Sequence, residues 1–409
     1  MEDKYVVRSE YLHFLEKWRG KEVVKVVSGV RRSGKSTLFK LFRKSLINEG
    51  VLDDHIIVYN FEDPKFRHLL EAYDLYDDVD AKIKDDNQYY VFFDEIQNVN
   101  SFEKVVDGLF IRENIDVYIT GSNAYFLSGE LATLLTGRYV QLDIFPLSFK
   151  EFYQWKTKNN DEFSLKTKNE VYVDYLNSSF PYVLQLKSSE EVVMYLQSIF
   201  SSIMYKDVIP RLNTTDTMAL ERVATLLASV TGTQVSINKI KNTFVSSGTK
   251  ISFETVKKYI GGLSDSLLFY SARPFNIRGR ELLKTSEKYY LVDPGLRRIM
   301  LPDANSDMGH ILENVIFIEL KRRGFDVFVG KVDNLEVDFV AIDKMQNIEY
   351  YQVSLDTLAE TTLTRELKSL QAIQDSYPKY LLTLDTVTPE ANYGGIKKMN
   401  ALDWLLGKK

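Results

Sequence analysis

From residue 23 onward, short apolar runs alternate with longer stretches in which apolar residues recur every three or four positions. The runs 23–28, 56–61, 89–94, 117–121 and 139–144 predict five strands, and the amphipathic stretches between them predict helices covering both faces of a parallel sheet. The alternation stops near Phe145-Pro-Leu-Ser148, where helical patterns rich in Phe, Tyr and Leu take over and continue to about Asn213. Residues 1–145 are therefore expected to form one α/β domain, and 146–215 a helical second unit.

Between 219 and 275, three short helical patterns lead into the strand-like run 267–272. Ser236 and Ser252 stand where a hydroxyl caps a helix N-terminus, and the order fits a helix-turn-helix with a β wing over 216–285. The remainder, 286–409, combines a long helix at 307–323, strands at 327–330, 337–342 and 349–353, a further helix, and a strand at 380–383. That is a second α/β unit, and the chain shows no internal repeat.

Composition narrows the chemistry. The chain has 409 residues and no cysteine, which excludes a disulfide framework and a thiolate zinc site. The 52 Lys and Arg against 57 Asp and Glu give a net charge of −5, so any nucleic-acid contact must be local rather than a coating by charge. The start, Met1-Glu-Asp-Lys-Tyr5, is charged, and no apolar run approaches the ~18 residues needed to span a bilayer. A cytoplasmic protein without a membrane partner is expected.

The first strand runs into Gly29-Val-Arg-Arg-Ser-Gly-Lys-Ser-Thr37 and then a helix, the spacing of a phosphate-binding loop. Gly29 and Gly34 let the backbone turn its N–H groups toward phosphates, with Arg32, Ser33 and Thr37 completing the cradle at the helix N-terminus. Lys35 is expected on the β- and γ-phosphates and Ser36 on Mg²⁺. The apolar strand 89–93 delivers Asp94 and Glu95 at its C-terminal tip, where ligands of parallel sheets bind. Asp94 is expected to hold Mg²⁺, and Glu95 to orient or deprotonate the attacking water. At the end of the fourth strand, Asn123 or Ser122 is placed to sense the γ-phosphate, although small polar residues also form turns without any such role.

Taken in order, Gly29–Thr37, Phe93-Asp-Glu-Ile-Gln97, Thr120-Gly-Ser-Asn123, Leu135-Thr-Gly-Arg138 and Phe145-Pro-Leu-Ser-Phe-Lys-Glu-Phe152 resemble the AAA+ domain of a large prokaryotic ATPase family over residues 20–185. Such proteins often carry a C-terminal domain of unknown function, DUF4143 or a relative. The resemblance implies a P-loop AAA+ sheet with a helical lid, and ATP and Mg²⁺ as ligands. It also suggests an arginine finger at Arg138, offered to a neighbouring copy, although a surface arginine beside a glycine turn is the other reading. Relatives carry Gly-Gly-x-Pro near the adenine. Here the segment is Ser178-Ser-Phe-Pro181, so only Pro181 matches.

In the winged-helix segment, Lys257, Lys258, Arg273, Arg278, Arg280 and Lys284 offer contacts to DNA, and protein contact is the alternative. The last unit resembles a restriction-endonuclease-like fold, with Glu313, Asp338 and Gln352 in the order of its acidic and amide positions. Ser354 stands where that resemblance puts a lysine, which argues for a degenerate centre unless Lys368 substitutes. Three functions follow: an ATPase whose cycle moves its domains on DNA or on a protein partner, including another copy of itself; a slow nucleotide-dependent switch; and an ATP-gated nuclease.

Overall fold

Each of the five apolar runs becomes a strand of a single parallel sheet: β1 Val24–Ser28, β2 Ile56–Asn60, β3 Tyr89–Asp94, β4 Ile115–Gly121 and β5 Tyr139–Asp143, in the spatial order β2-β3-β4-β1-β5. The computed structural model describes residues 5–123, 135, 137–158, 167–284, 286–301 and 307–408. Thr136 of the fourth motif and residues 159–166 of the expected lid lie outside them.

Alternate residues along the strands feed two cores, as a period of two requires. Val24, Val26, Val91, Phe93, Val117 and Ile119 pack with Leu75 and Val79 of α3 (Ala72–Asp80) and with Val105 and Leu109 of α4 (Phe102–Phe110). Val27, Tyr90, Phe92 and Tyr118 pack on the opposite face with Leu15 of α1 (Ser9–Trp18) and with Leu38, Phe39 and Phe42 of α2 (Lys35–Asn48). An ion pair is buried in this second layer. Lys25 of β1 is ion-paired with Asp116 of β4 and donates to Lys21 O at 2.8 Å, so the ammonium is compensated rather than stranded.

The chain divides into two compact units, 1–145 with 265–267, and 146–264 with 268–409. The second unit opens with helices Phe149–Lys158, Lys168–Asn177 and Ser189–Ser202, the last running into a π-helical turn at Ile203–Val208. Three helices follow, Thr217–Ser229, Ile237–Ser246 and Phe253–Asp265. Ser236 and Ser252 cap the second and third of these through Lys239 N at 3.2 Å and Thr255 N at 3.0 Å. Strand β6 (Phe269–Ala272) then pairs antiparallel with β9 (Lys288–Leu291).

Between those two strands the structure departs from the expected wing. β7 (Pro274–Asn276) and β8 (Glu281–Leu282) form a hairpin that joins the edge of an eight-stranded mixed sheet through β10 (Asp326–Val332). The rest of that sheet is β11 (Leu335–Ile342), β12 (Ile348–Ser354), β13 (Lys379–Thr383), β14 (Ala391–Tyr393) and β15 (Ile396–Asn400), in the order β14-β15-β13-β12-β11-β10-β7-β8. Apolar side chains of β7, β10, β11 and β12 pack against Leu367 and Leu370 of the helix Glu360–Gln371. The protein is thus α/β throughout, a parallel P-loop sheet followed by helices and a mixed sheet. Among the described residues, no helix is long and apolar enough to cross a membrane.

Candidate active site

The loop after β1 is shaped by close approach. A Cβ on Gly29 would sit 2.2 Å from Ile144 O, and Ile144 N donates to Ser28 O at 2.6 Å, so the loop root fits only glycine against the end of β5. Gly34 takes φ 106° as the residue before α2, a conformation that is easy for glycine; Arg32, with φ 68°, adopts the left-handed region at a steric cost. Lys35, Ser36 and Thr37 then form the first turn of α2, whose backbone N–H groups have no partner within the helix. The Ser33 hydroxyl is enclosed without a hydrogen-bond partner. Arg8, which sequence reading passed over, braces the loop from the N-terminal segment. Its Nη1 donates to Phe145 O at 2.7 Å and to Ser33 O at 3.2 Å, and its guanidinium lies over the Tyr11 ring.

The Lys35 ammonium is buried. It donates to Gly29 O at 2.8 Å and Val30 O at 3.4 Å, and lies 3.4 Å from Glu95 Oε1. Register accounts for the meeting, because Ser28 pairs with Gly121 and Phe93 with Ile119, which sets the C-terminal tips of β1, β3 and β4 side by side. Thr120 joins the tips: its hydroxyl donates to Asp94 Oδ1 at 2.6 Å and accepts from Glu95 N at 2.9 Å. Ser36, in the first turn of α2, also acts on Asp94, opposing the rise of its pKa. Glu95 is held at φ 55°, a left-handed backbone that a residue other than glycine adopts at a cost. Its Oε2 accepts from Gln97 Nε2 at 2.6 Å, and the same nitrogen reaches Ser122 Oγ at 3.3 Å.

These surroundings separate the two acids. Burial raises the Asp94 pKa above the ordinary carboxylate value, against the hydrogen bonds from Ser36 and Thr120. Burial pushes Glu95 the same way, but the Lys35 charge and the Gln97 hydrogen bond outweigh it and hold Glu95 below its usual value. The two carboxyls at the tip of β3 are thus pushed in opposite directions.

Asn123, Arg138 and Pro181 stand on other elements of the chain. Asn123 is half-buried, two residues beyond β4. Arg138 precedes β5, whose first residue pairs with Val24 at the start of β1; the five-residue strand β1, about 16 Å long, separates it from the loop. Its side chain pairs with Asp107 at 2.9 Å and lies over Phe110. Arg138 therefore does not reach the loop of its own chain. Pro181 belongs to the second unit, where it opens a short 3₁₀ helix, while Ser178 and Ser179 beside it donate to the buried Asp293 at 3.2 and 2.7 Å.

In the second unit the two acids of the expected degenerate centre do meet, but around a lysine absent from the sequence reading. Lys288 Nζ of β9 lies 2.9 Å from Glu313, 2.8 Å from Glu336 and 3.9 Å from Asp338. Glu313 also accepts from Tyr290 OH at 2.7 Å. Burial and the neighbouring Glu313 charge raise Asp338, whereas Lys288 and His310 hold Glu313 low against its burial. Gln352 donates to Glu366 at 2.9 Å, Ser354 turns its hydroxyl to Asp356 O at 2.9 Å, and Lys368 is exposed. The lysine that reaches the carboxylates is thus Lys288 of β9, while Lys368, the exception considered from the sequence, has an exposed side chain. Replacing Lys288 with Met would leave buried carboxylates without their cation, so the variant should lose about 3–5 kcal/mol of stability. A urea titration checks this, and an unchanged midpoint would contradict it.

The basic residues of the expected wing are partly committed within the unit. Arg278 pairs with Asp333 at 2.6 Å and Arg280 lies over Tyr377, because the β7–β8 hairpin has joined the mixed sheet. Lys257 and Lys258 are exposed on the helix Phe253–Asp265.

A parallel sheet in the order β2-β3-β4-β1-β5, a glycine loop leading into a helix, and paired acids at the tip of β3 define a P-loop protein of the AAA+ class. Residues 21–153 match the AAA_14 family model, described as an AAA domain. Residues 171–307 match a domain of unknown function, DUF8612, which corrects the expected DUF4143. An uncharacterized protein of Haemophilus influenzae is 38% identical over 407 residues, 99% of this chain and 100% of that protein. An uncharacterized protein of Methanocaldococcus jannaschii is 33% identical over 364 residues, covering 86% of this chain and 79% of its own. The chain belongs to the same family as these two proteins, with an AAA domain as its N-terminal part. Among solved structures, a Walker-type ATPase of Pyrococcus abyssi aligns with a TM-score of 0.50 at 16% identity, covering 72% of this chain and 95% of that one, a likeness of fold.

Proposed function

We propose that the chain is a cytoplasmic Mg²⁺-dependent ATPase that couples its nucleotide state to movement of its domains. The observation that carries this reading is the convergence of Lys35, Ser36, Asp94 and Glu95 where the tips of β1, β4 and β3 meet, with the Lys35 ammonium 3.4 Å from Glu95. The ammonium of Lys35 meets the β- and γ-phosphates of ATP, over the N–H groups that open α2. Ser36, at the start of α2, and Asp94, at the tip of β3, are the hard oxygen donors that suit Mg²⁺, which needs only one or two protein ligands beside phosphate oxygens. Bound there, the ion would neutralise charge on the phosphates.

Glu95 takes a proton from the attacking water as the water oxygen bonds to the γ-phosphorus. The bond from that phosphorus to the β–γ bridging oxygen breaks, ADP leaves with the bridging oxygen, and the proton passes to the released phosphate. Phosphate release by the purified full chain tests the reading: turnover with ATP and Mg²⁺ that stops on adding EDTA supports it, and turnover indifferent to EDTA contradicts it.

Arg138 acts in trans in this account, since it lies at the end of β1 opposite the loop. Arg138→Ala should cut turnover roughly tenfold or more while leaving ATP affinity unchanged, and mixing it with Lys35→Ala protein should restore part of the activity. Full turnover by a dilute monomer would contradict a finger in trans. Asn123 is read as a γ-phosphate contact and Pro181 as an adenine contact.

For DNA, the exposed Lys257 and Lys258 on the helix Phe253–Asp265 are the face we assign, the helix itself rather than a wing making the contact. The Lys288 cluster is read as a structural brace. Its ammonium occupies the space between the carboxylates, and Ser354 brings no charge to a phosphate. No cleavage of duplex or single-stranded DNA is expected with Mg²⁺ or Mn²⁺, with or without ATP. Reproducible nicking that disappears in Asp338→Ala would contradict this.

A further inference from the structure

Gln97 makes an unusual set of contacts. Its amide nitrogen donates to Glu95 Oε2 at 2.6 Å and to Ser122 Oγ at 3.3 Å, while its carbonyl oxygen is enclosed and has no hydrogen-bond partner. The reverse orientation of the amide would set a carbonyl against a carboxylate. A glutamine serving only as a packing or turn residue would satisfy both ends, because a buried unpaired acceptor is costly. Here every hydrogen bond found for the side chain goes to the tips of β3 and β4, and the shortest goes to the acid read above as the base.

The two oxygens of Glu95 are held differently. Oε1 faces the Lys35 ammonium at 3.4 Å, and Oε2 is held by Gln97 at 2.6 Å. When phosphates claim Lys35, the grip on Oε1 is lost, and the carboxylate is left to Gln97, which holds Oε2 at 2.6 Å, and to Ser122. A carboxylate tethered at one end of a strained turn would otherwise be free to rotate after the departing ammonium, and misplacement of a base by about 1 Å costs a large factor in rate.

We propose that Gln97 is a positioning residue for Glu95: its amide fixes Oε2 so that Oε1 stays aimed at the water once ATP has drawn Lys35 away. The inference rests on the reading of Glu95 as the base. The residue acts through Glu95, so its loss should appear in turnover and not in nucleotide binding, and only while Glu95 is there to be positioned.

The test uses the full chain with Gln97→Met, close to glutamine in volume, and Gln97→Glu, each alone and combined with Glu95→Gln. Gln97→Met should lower kcat about tenfold or more with KM and ATP Kd within about twofold of the parent, and Gln97→Glu should lower kcat as well because a second carboxylate repels the first. In the Glu95→Gln background, neither change should slow hydrolysis further. Parental kcat in both single variants, a matching rise in ATP Kd, or an equal additional loss in the Glu95→Gln background would overturn the inference while leaving the base assignment standing. A parental rate in Glu95→Gln itself would overturn both. Retained ATP affinity reports that a variant has folded, and if Gln97→Met fails to fold, Gln97→Glu carries the same comparison.

Discussion

Lys35→Ala is expected to lose ATP binding, with affinity falling at least about a hundredfold, roughly 2.7 kcal/mol. The side chain is the buried cation of the loop, and its hydrogen bonds to Gly29 O and Val30 O hold it at the root of the turn rather than in solvent. Removing it deletes a point charge that phosphates need, while Gly29 and Gly34 keep the backbone path. The variant should remain folded, because Glu95 keeps its hydrogen bond from Gln97 and can take up a proton once the ammonium is gone. Calorimetric titration with ATP and Mg²⁺ checks this, and an unchanged Kd would remove the loop from the account.

Glu95→Gln should do the opposite. The amide keeps the shape of the carboxylate and still reaches the Lys35 region, so ATP binds, but the group can no longer take a proton from water. Hydrolysis should slow at least about tenfold, equivalent to about 1.4 kcal/mol of barrier. The variant also loses the ion pair with Lys35, which frees the ammonium for phosphate, so ATP affinity should hold or rise. A parental rate with parental affinity would move the base elsewhere.

Much of the first unit is legible in the sequence because its strands are buried on both faces and its loop needs glycine at fixed places. β3 is apolar from Tyr89 to Phe93 and then abruptly acidic, which alone would be an ordinary solvated strand end but beside the glycine loop brings carboxylates to the tip where ligands bind. The parts that escaped are those in which one side chain reaches across the fold. Arg8 contacts a residue 137 positions away, and no local pattern signals it. Gln97 lies inside a recognised motif, yet its value depends on which way the turn after Glu95 throws its amide. Lys288 sits in a run, Lys288-Tyr-Tyr-Leu291, that lies outside the expected strands, and its burial follows only when Glu313 and Asp338 are brought around it.

The mixed sheet was half legible. β10 to β13 were expected because their apolar content is high, whereas β14 and β15 are short and polar. A signal for that hairpin did exist. Gly394 and Gly395, with φ of 62° and 95°, separate the two strands as a two-residue turn. The β7–β8 hairpin carried no comparable sign of its destination, since the choice between wing and sheet edge is made by pairing with β10, more than 40 residues later in the chain.

A single-turnover quench experiment tests the central claim most directly, with enzyme in excess over labelled ATP and Mg²⁺, and with bound ATP and released phosphate counted in the same samples. The account predicts that the parent chain binds and then cleaves ATP, that Glu95→Gln accumulates bound ATP with little phosphate, and that Lys35→Ala retains neither. Phosphate released at the parental rate by Glu95→Gln, or ATP held as tightly by Lys35→Ala as by the parent, would contradict it.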